Sequence, residues 1–145
     1  MKNLTVLILL LLTTLAAAAA NNEEVESLKA RAATSTEDAN DRVKLFTKVA
    51  ELQLKQLSQA YDQGNDEQAQ AALHDVLEYG VKAAESSQES RKRMKQTEIA
   101  IRKISNRLGD ISRTLSFDER QPVTSAIKTL ENARSNLLRA MFRKR

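Results

Sequence analysis

The sequence predicts an all-α fold built from two antiparallel helical hairpins. Turn-forming residues are rare among its 145 positions, with three glycines and one proline, and aromatic residues make up only 3%. Ala, Leu, Glu, Gln, Lys and Arg dominate, a composition typical of helices. Apolar residues recur at spacings of three and four, the period of one helix face. We therefore expect three to four helices with coiled-coil-like packing.

The first twenty residues predict a cleavable export signal. Lys2 precedes an apolar stretch over residues 4–15, and a run of alanines ends at Ala20. The apolar stretch is shorter than the about 20 residues of a membrane-spanning helix; because the alanines extend it, an uncleaved anchor is the alternative. We expect cleavage near Ala20 and a periplasmic or secreted mature protein. The absence of cysteine excludes disulfides, a thiolate nucleophile and cysteine-based zinc sites.

The mature chain divides into a polar segment and one helical domain. We expect residues 21–35 to be loosely held and flexible. A short helix at residues 23–32 is left open as an alternative. Residues 36–145 form the helical domain. The pattern Thr34-x-x-Glu37 is a capping box, so the first firm helix starts near Thr36.

A glycine turn separates the first two helices. Gly64 suits the left-handed position after a helix end, and Asn65 or Asp66 can cap the next helix. Because the connection has only two or three residues, the helices on either side form an antiparallel hairpin over residues 37–86.

The course of the chain beyond this hairpin has two interpretations. Residues 86–90 are polar, but they contain no glycine or proline, and the apolar repeat of residues 94–115 follows without a slip. We favour one long central helix over residues 66–115, about 75 Å at 1.5 Å per residue. The alternative is a kink near residues 86–90 that folds the chain into a four-helix bundle. A turn at residues 116–119 follows, with Pro122 at the first position of the last helix.

The extended form has a consequence for assembly. Each half would present only a thin two-helix contact, so apolar residues would be incompletely covered. This predicts a dimer through the seam of Ile101, Ile104 and Leu108 and the face of Val49 and Leu52.

Two resemblances concern the fold. The stretch Ala60-Tyr61-x-x-Gly64-Asn65-x-x-Gln68-Ala69-x-x-Ala72-Leu73 resembles the turn of a single tetratricopeptide repeat. No second copy follows, so it predicts one helical hairpin. The whole mature chain is similar to a family of uncharacterised exported all-helical bacterial proteins, on patterns such as Lys95-x-Thr97-Glu98-Ile99-Ala100-x-Arg102-Lys103. That resemblance implies the fold and export and no activity.

Charge is unevenly distributed along the mature chain. Residues 21–90 carry 7 Lys/Arg against 14 Asp/Glu, and residues 91–145 carry 15 against 5. A rod of this kind has an acidic end and a basic end. The candidate patch for an anionic partner comprises Arg91, Lys92, Arg93, Lys95, Arg102, Lys103 and Arg107. A second basic cluster closes the chain at Arg139, Arg143, Lys144 and Arg145. The competing interpretation is a set of ordinary solvated helix faces.

No residue pattern indicates catalysis or a cofactor. His74 is the only histidine; with Glu78 and Asp75 it falls short of a complete metal site, and we interpret it as a surface residue paired with Glu78. The carboxylate pairs at residues 66–67 and 118–119 stand at helix starts, where they favour the helix dipole. We predict no catalytic residue, metal or cofactor, and no enzyme.

These observations predict an exported, non-enzymatic structural or adaptor protein that acts through protein–protein contacts. Its expected partner is a second copy or another envelope protein. The alternative is a periplasmic chaperone or a binder of anionic surfaces, including lipid, that uses residues 91–107. Nucleic acid fits poorly because no aromatic residue interleaves the patch, and we expect no small-molecule substrate.

Overall fold

The computed structural model describes residues 22–34 and 38–143. These residues form five helical segments and no strand, so the predicted all-α fold is confirmed, while three to four helices is too few. The chain divides into two compact units at Thr34 and Ser35. In the first unit, residues 22–34 are helical. The predicted signal at residues 1–20 lies outside the described residues.

The second unit contains four helices: α1 (Ala39–Asp62), α2 (Asp66–Ser90), α3 (Met94–Thr114) and α4 (Phe117–Phe142). Helix α1 begins three residues after the predicted start at Thr36. Its cap is Asp38, whose carboxylate accepts a hydrogen bond from the amide of Asn40 at 3.3 Å.

The predicted glycine turn joins α1 to α2. Gly64 has a φ of 66°, in the left-handed region that glycine adopts without strain. The Asn65 side chain caps α2 by accepting from the amide of Gln68 at 3.1 Å. Gln53 donates to Asp75 at 2.8 Å, and these two residues are equidistant from Gly64. The two helices therefore run antiparallel along each other.

The predicted continuous helix over residues 66–115 is wrong. Helix α2 ends at Ser90 and α3 begins at Met94, and the three-residue connection contains two residues in the left-handed conformation. Serine hydroxyls satisfy backbone groups at this break. Ser87 donates to the carbonyl of Lys92 at 2.5 Å, and Ser90 donates to the carbonyl of Ser86 and accepts from the Lys92 amide. These bonds stabilise a helix end without glycine or proline.

Helix α4 also starts differently from the prediction. Residues 116–119 are its N-terminus, because Ser116 and Glu119 form a capping box. Pro122 lies inside α4 and not at its first position. Glu98 of α3 pairs with Arg134 of α4 at 2.7 Å. Both residues are equidistant from Ser116, so α3 and α4 are also antiparallel.

The two helix pairs pack side by side. Within the second unit, α2 contacts α4 and α1 contacts α3, in addition to the contacts within each pair. Gly80 allows the close approach of α2 to α4, since a Cβ atom there would lie 2.7 Å from Leu130 Cδ2. The prediction that each half has only a thin two-helix contact is therefore wrong, because the two pairs also pack on each other. The seam is covered, with Ile101, Ile104 and Leu108 at most 2% exposed.

Candidate functional site

The turn between α2 and α3 directs basic side chains to two different surfaces. Arg91 and Arg93 have φ values of 59° and 56°. Arg91 Nη1 donates to the carbonyl of Ala140 near the end of α4 at 2.7 Å. Arg93 lines a groove beside α1. Two arginines only two positions apart therefore belong to separate sites.

The first site, the arginine cleft, is a depression of about 250 Å³ between the end of α2 and the end of α4. Its lining contains three arginines and no carboxylate: Gln88, Arg91, Asn136, Arg139, Ala140 and Arg143. Arg139 Nη2 donates to Asn136 Oδ1 at 2.8 Å, which holds that guanidinium in place. A guanidinium offers a fork of donors that matches phosphate or carboxylate oxygens. The cleft is suited to an anionic group.

A large exposed apolar residue neighbours the arginine cleft in sequence. Phe142 directly precedes Arg143 and is 80% exposed. The other exposed large apolar residue of the described ranges, Phe117, is 72% exposed and begins α4 at its opposite end. In the described parts of the chain, no helix combines the length and the apolar character that crossing a bilayer requires.

The second site, the lysine groove, runs between α1 and α3 and has a volume of about 360 Å³. Four cations line it: Lys44, Lys48, Arg93 and Lys103. Glu51 is the one carboxylate in the lining. Lys44 pairs with Asp41 at 2.7 Å, and this hydrogen bond is the main reason why the pKa of Asp41 is below its ordinary value. Among the described residues, the other three cations have no ion-pair partner within 4.0 Å.

A buried threonine forms part of the groove floor. Thr97 is 2% exposed and lies with Ala100 between the charged walls. The hydroxyls of Thr34, Thr47 and the other threonines that the structure describes donate to a carbonyl three or four residues earlier. Thr97 is the exception in these ranges, because its hydroxyl makes no such bond to its own helix. Unlike Ser105 Oγ, this hydroxyl is not a fully buried atom that lacks a partner.

The predicted basic patch is divided between these surfaces. Arg91 lies in the arginine cleft, whereas Arg93 and Lys103 lie in the lysine groove. The remaining members of the patch are exposed and line neither: Lys92, Lys95, Arg102 and Arg107.

Sequence reasoning missed the residues that complete each site. Lys44 and Lys48 belong to the acidic half of the sequence, so their spacing of four on one helix face was the only signal. Arg139 and Arg143 were recognised as a separate cluster, but nothing in the sequence joined them to Arg91. Lys144 and Arg145 of that cluster lie outside the described residues.

The predicted rod with one acidic and one basic half is wrong, because the α1–α2 and α3–α4 pairs lie side by side. Charge is instead arranged along the helix axes. The arginine cleft lies at the end that holds the α2–α3 turn. At the other end, Asp66, Asp118 and Glu119 line a small depression next to Tyr61. Burial, followed by the charges of Glu119 and Asp66, raises the pKa of the Tyr61 hydroxyl.

The acidic pairs at helix starts have capping roles in this structure. Ser116 donates its hydroxyl and its backbone amide to Glu119, and these bonds, the hydroxyl first, lower the pKa of Glu119. Asp66 and Glu67 occupy the first turn of α2, where their charge favours the helix dipole.

One cluster could offer ligands to a divalent metal. His74 Nδ1 lies 3.7 Å from Asp75 Oδ1 and 3.7 Å from Glu78 Oε2. The other oxygens of both carboxylates are engaged, by Gln53 at 2.8 Å and by Lys82 at 2.5 Å. The Glu78 hydrogen bond is the main cause of a raised pKa for Lys82. The His74 side chain is 74% exposed, so the cluster is an open surface arrangement with three donors.

In comparisons with known proteins, no family model, curated protein or solved structure matches this chain.

Proposed function

We propose that this chain is an exported, non-enzymatic helical protein that docks on an anionic lipid surface through the arginine cleft. One observation carries the proposal: Arg91, Arg139 and Arg143 line one depression at one end of the second unit, without a carboxylate in the lining, and the exposed Phe142 directly precedes Arg143. Cations flanking an exposed aromatic residue suit a surface of anionic headgroups over acyl chains.

The expected affinity follows from these groups. Each Arg near an anionic membrane contributes about 1 kcal/mol, and inserting the exposed phenyl ring of Phe142 adds roughly 2–3 kcal/mol. The sum of about 5–6 kcal/mol corresponds to a dissociation constant of tens to hundreds of micromolar. Binding of this strength is reversible and depends strongly on ionic strength.

The packing of the second unit supports a rigid platform for such docking. We take the α1–α2 and α3–α4 pairs as two antiparallel hairpins with coiled-coil-like contacts. A structural or adaptor role through exposed apolar seams has less support, because the seam residues are buried within the chain. The basic surfaces therefore carry the function in this proposal.

The test is sedimentation of the mature protein with phosphatidylglycerol-containing vesicles and with neutral phosphatidylcholine vesicles. We expect binding to the anionic vesicles alone, with loss of binding in 0.5 M salt. The double variant Arg139→Glu/Arg143→Glu should bind at least tenfold more weakly. Phe142→Ser should also weaken binding to the anionic vesicles. This reduction relative to the wild type should remain when the fraction of anionic lipid is increased.

The matched control is Arg102→Glu/Arg107→Glu, which makes the same charge change at exposed positions outside the cleft. It should retain most of the binding. Equal losses for both double variants would show that net charge, and not the cleft, governs binding. Absence of binding to anionic vesicles would refute the proposal.

A further inference from the structure

The structure assigns a second, separate binding site to the lysine groove, for a phosphate-bearing polyanion that lies along α3. This site shares no residue with the arginine cleft. It goes beyond docking on a lipid surface, because the groove is a separate open depression of about 360 Å³ between α1 and α3, a volume within the range of small-ligand pockets.

The cations of the groove form a track. Arg93 is the residue directly before α3 and Lys103 lies ten residues further along, about 15 Å along the helix axis. Lys48 faces them from α1. None of these three has an ion-pair partner within 4.0 Å in the described residues. The charge of Arg93 contributes to the lowered pKa of Asp41. Lys48 and Lys103 still leave the groove with an excess of cations, which a bound anion with several charges would offset.

Thr97 gives the groove a directed donor. The residue as a whole is 2% exposed, and its hydroxyl does not make the bond to its own helix that the other described threonines make. Because it lies on the floor between the cations, it can donate to an oxygen of a bound anion. Thr47, on the facing wall, already donates to the carbonyl of Val43 at 2.8 Å. The Thr97 hydroxyl is therefore an observation independent of the charges.

Phosphate is the anion that these groups fit best. An arginine fork binds two phosphate oxygens at once, lysines add point charges, and a hydroxyl donates to a third oxygen. The carboxylate of Glu51 in the lining repels any anionic group placed next to it, so a bound anion avoids that part of the groove. The lining instead favours a short linear anion beside Thr97, between Arg93 and Lys103. Such a phosphate could come from a soluble polyphosphate or from a lipid headgroup.

The test uses inorganic tripolyphosphate and the full mature chain, by titration calorimetry and by mapping of amide chemical shifts. We expect binding that weakens as salt increases, with the largest shifts at Thr47, Thr97 and Ala100. Lys48→Gln/Lys103→Gln should weaken binding by at least tenfold. The control Lys55→Gln/Lys95→Gln makes the same charge change on α1 and α3 outside the groove, and it should bind like the wild type.

Thr97→Val separates the ligand role of the hydroxyl from a structural one. The two side chains are nearly the same size, and the variant removes one hydrogen bond to a charged ligand, so tripolyphosphate should bind about tenfold more weakly. The melting temperature should not fall, because the hydroxyl that a methyl group replaces makes no bond to its own helix. A melting temperature lowered by several degrees would indicate a structural role and overturn this assignment.

Vesicles containing phosphatidic acid distinguish the two sources of phosphate. Tripolyphosphate binding that depends on Lys48 and Lys103 supports a soluble ligand. Vesicle binding that depends on these lysines, without tripolyphosphate binding, supports a headgroup. Binding of neither probe, or equal binding by the groove variant and its control, would refute the site. The cleft variant Arg139→Glu/Arg143→Glu should leave tripolyphosphate binding intact, so the two proposals can fail separately.

Discussion

The ion pair between Glu98 and Arg134 gives the most quantitative prediction for this fold. It joins α3 to α4 through a contact of 2.7 Å between Arg134 Nε and Glu98 Oε1. The Glu98 side chain is 11% exposed and that of Arg134 is 25% exposed. Arg134 also contacts Glu131 at 2.9 Å, and the bond to Glu98 is the main cause of its raised pKa.

The variant Arg134→Met should be destabilised by about 2 kcal/mol. Removing one partner of a buried ion pair costs about 3–5 kcal/mol, because the other charge remains desolvated. We reduce this value because Arg134 is partly exposed to water, which screens the pair. For a unit of this size, about 2 kcal/mol lowers the melting temperature by roughly 8 °C.

Removing the acidic partner of the pair should reduce stability by less. Glu98→Leu leaves Arg134 in contact with Glu131 and with solvent, so we expect a loss of about 1 kcal/mol or less. The double variant Glu98→Leu/Arg134→Met replaces the pair by apolar groups. It should recover most of the stability lost in Arg134→Met, as other buried pairs do when both partners are replaced.

Thermal unfolding followed by circular dichroism at pH 7 measures all four proteins of this cycle. A coupling free energy of at least about 1 kcal/mol is expected for residues in direct contact. Additive effects, with Arg134→Met within 0.5 kcal/mol of the wild type, would contradict the reasoning. They would show that water, and not Arg134, solvates the Glu98 carboxylate.

Three further changes test other contacts of the second unit. Gly80→Ala should destabilise by about 1 kcal/mol, since overpacking against Leu130 exceeds the gain in helix propensity; in a Leu130→Ala background it should stabilise instead, as denaturant unfolding would show. Ser87→Ala removes the hydrogen bond to the Lys92 carbonyl, so hydrogen exchange of the turn amides should become faster at unchanged overall helicity. The lowered pKa of Glu119 means that its contribution to stability is present above the pKa of the unfolded chain and is lost as the pH falls through the folded value. The difference in stability between the wild type and Glu119→Gln should therefore shrink as the pH falls from 5 to 3 in thermal melts. A difference that stays constant would contradict the capping role.

Local features of the sequence predicted local features of the fold well. Composition and apolar spacing predicted the helices, and Gly64 and Asn65 predicted the first turn, because both act within a few residues. The break after Ser90 could not be predicted in the same way. It depends on serine hydroxyls and on two arginines in a conformation that non-glycine residues rarely adopt, and its net stability comes from packing α2 on α4.

The candidate sites were harder to predict because they depend on contacts across the fold. A run of basic residues indicated an anionic partner, but it did not show that Arg91 and Arg93 serve different surfaces. In the sequence Glu98 was only part of the pattern that carried the resemblance to exported helical proteins. Its burial depends on Arg134, 36 residues later. The missing bond from the Thr97 hydroxyl to its own helix is also invisible in sequence, since a threonine in a helix ordinarily makes that bond.

The conformation of the α2–α3 turn supports a functional role for its arginines. A left-handed conformation costs roughly 1–2 kcal/mol for a residue with a Cβ atom, and glycine, as at Gly64, would avoid that cost. Arginine occupies both strained positions, and each side chain lines a different basic surface. Strained residues persist where the surrounding structure fixes them, often at binding sites. Glycine at these positions would keep the turn and remove one cation from each surface, so the strain and the two proposed sites depend on the same two residues.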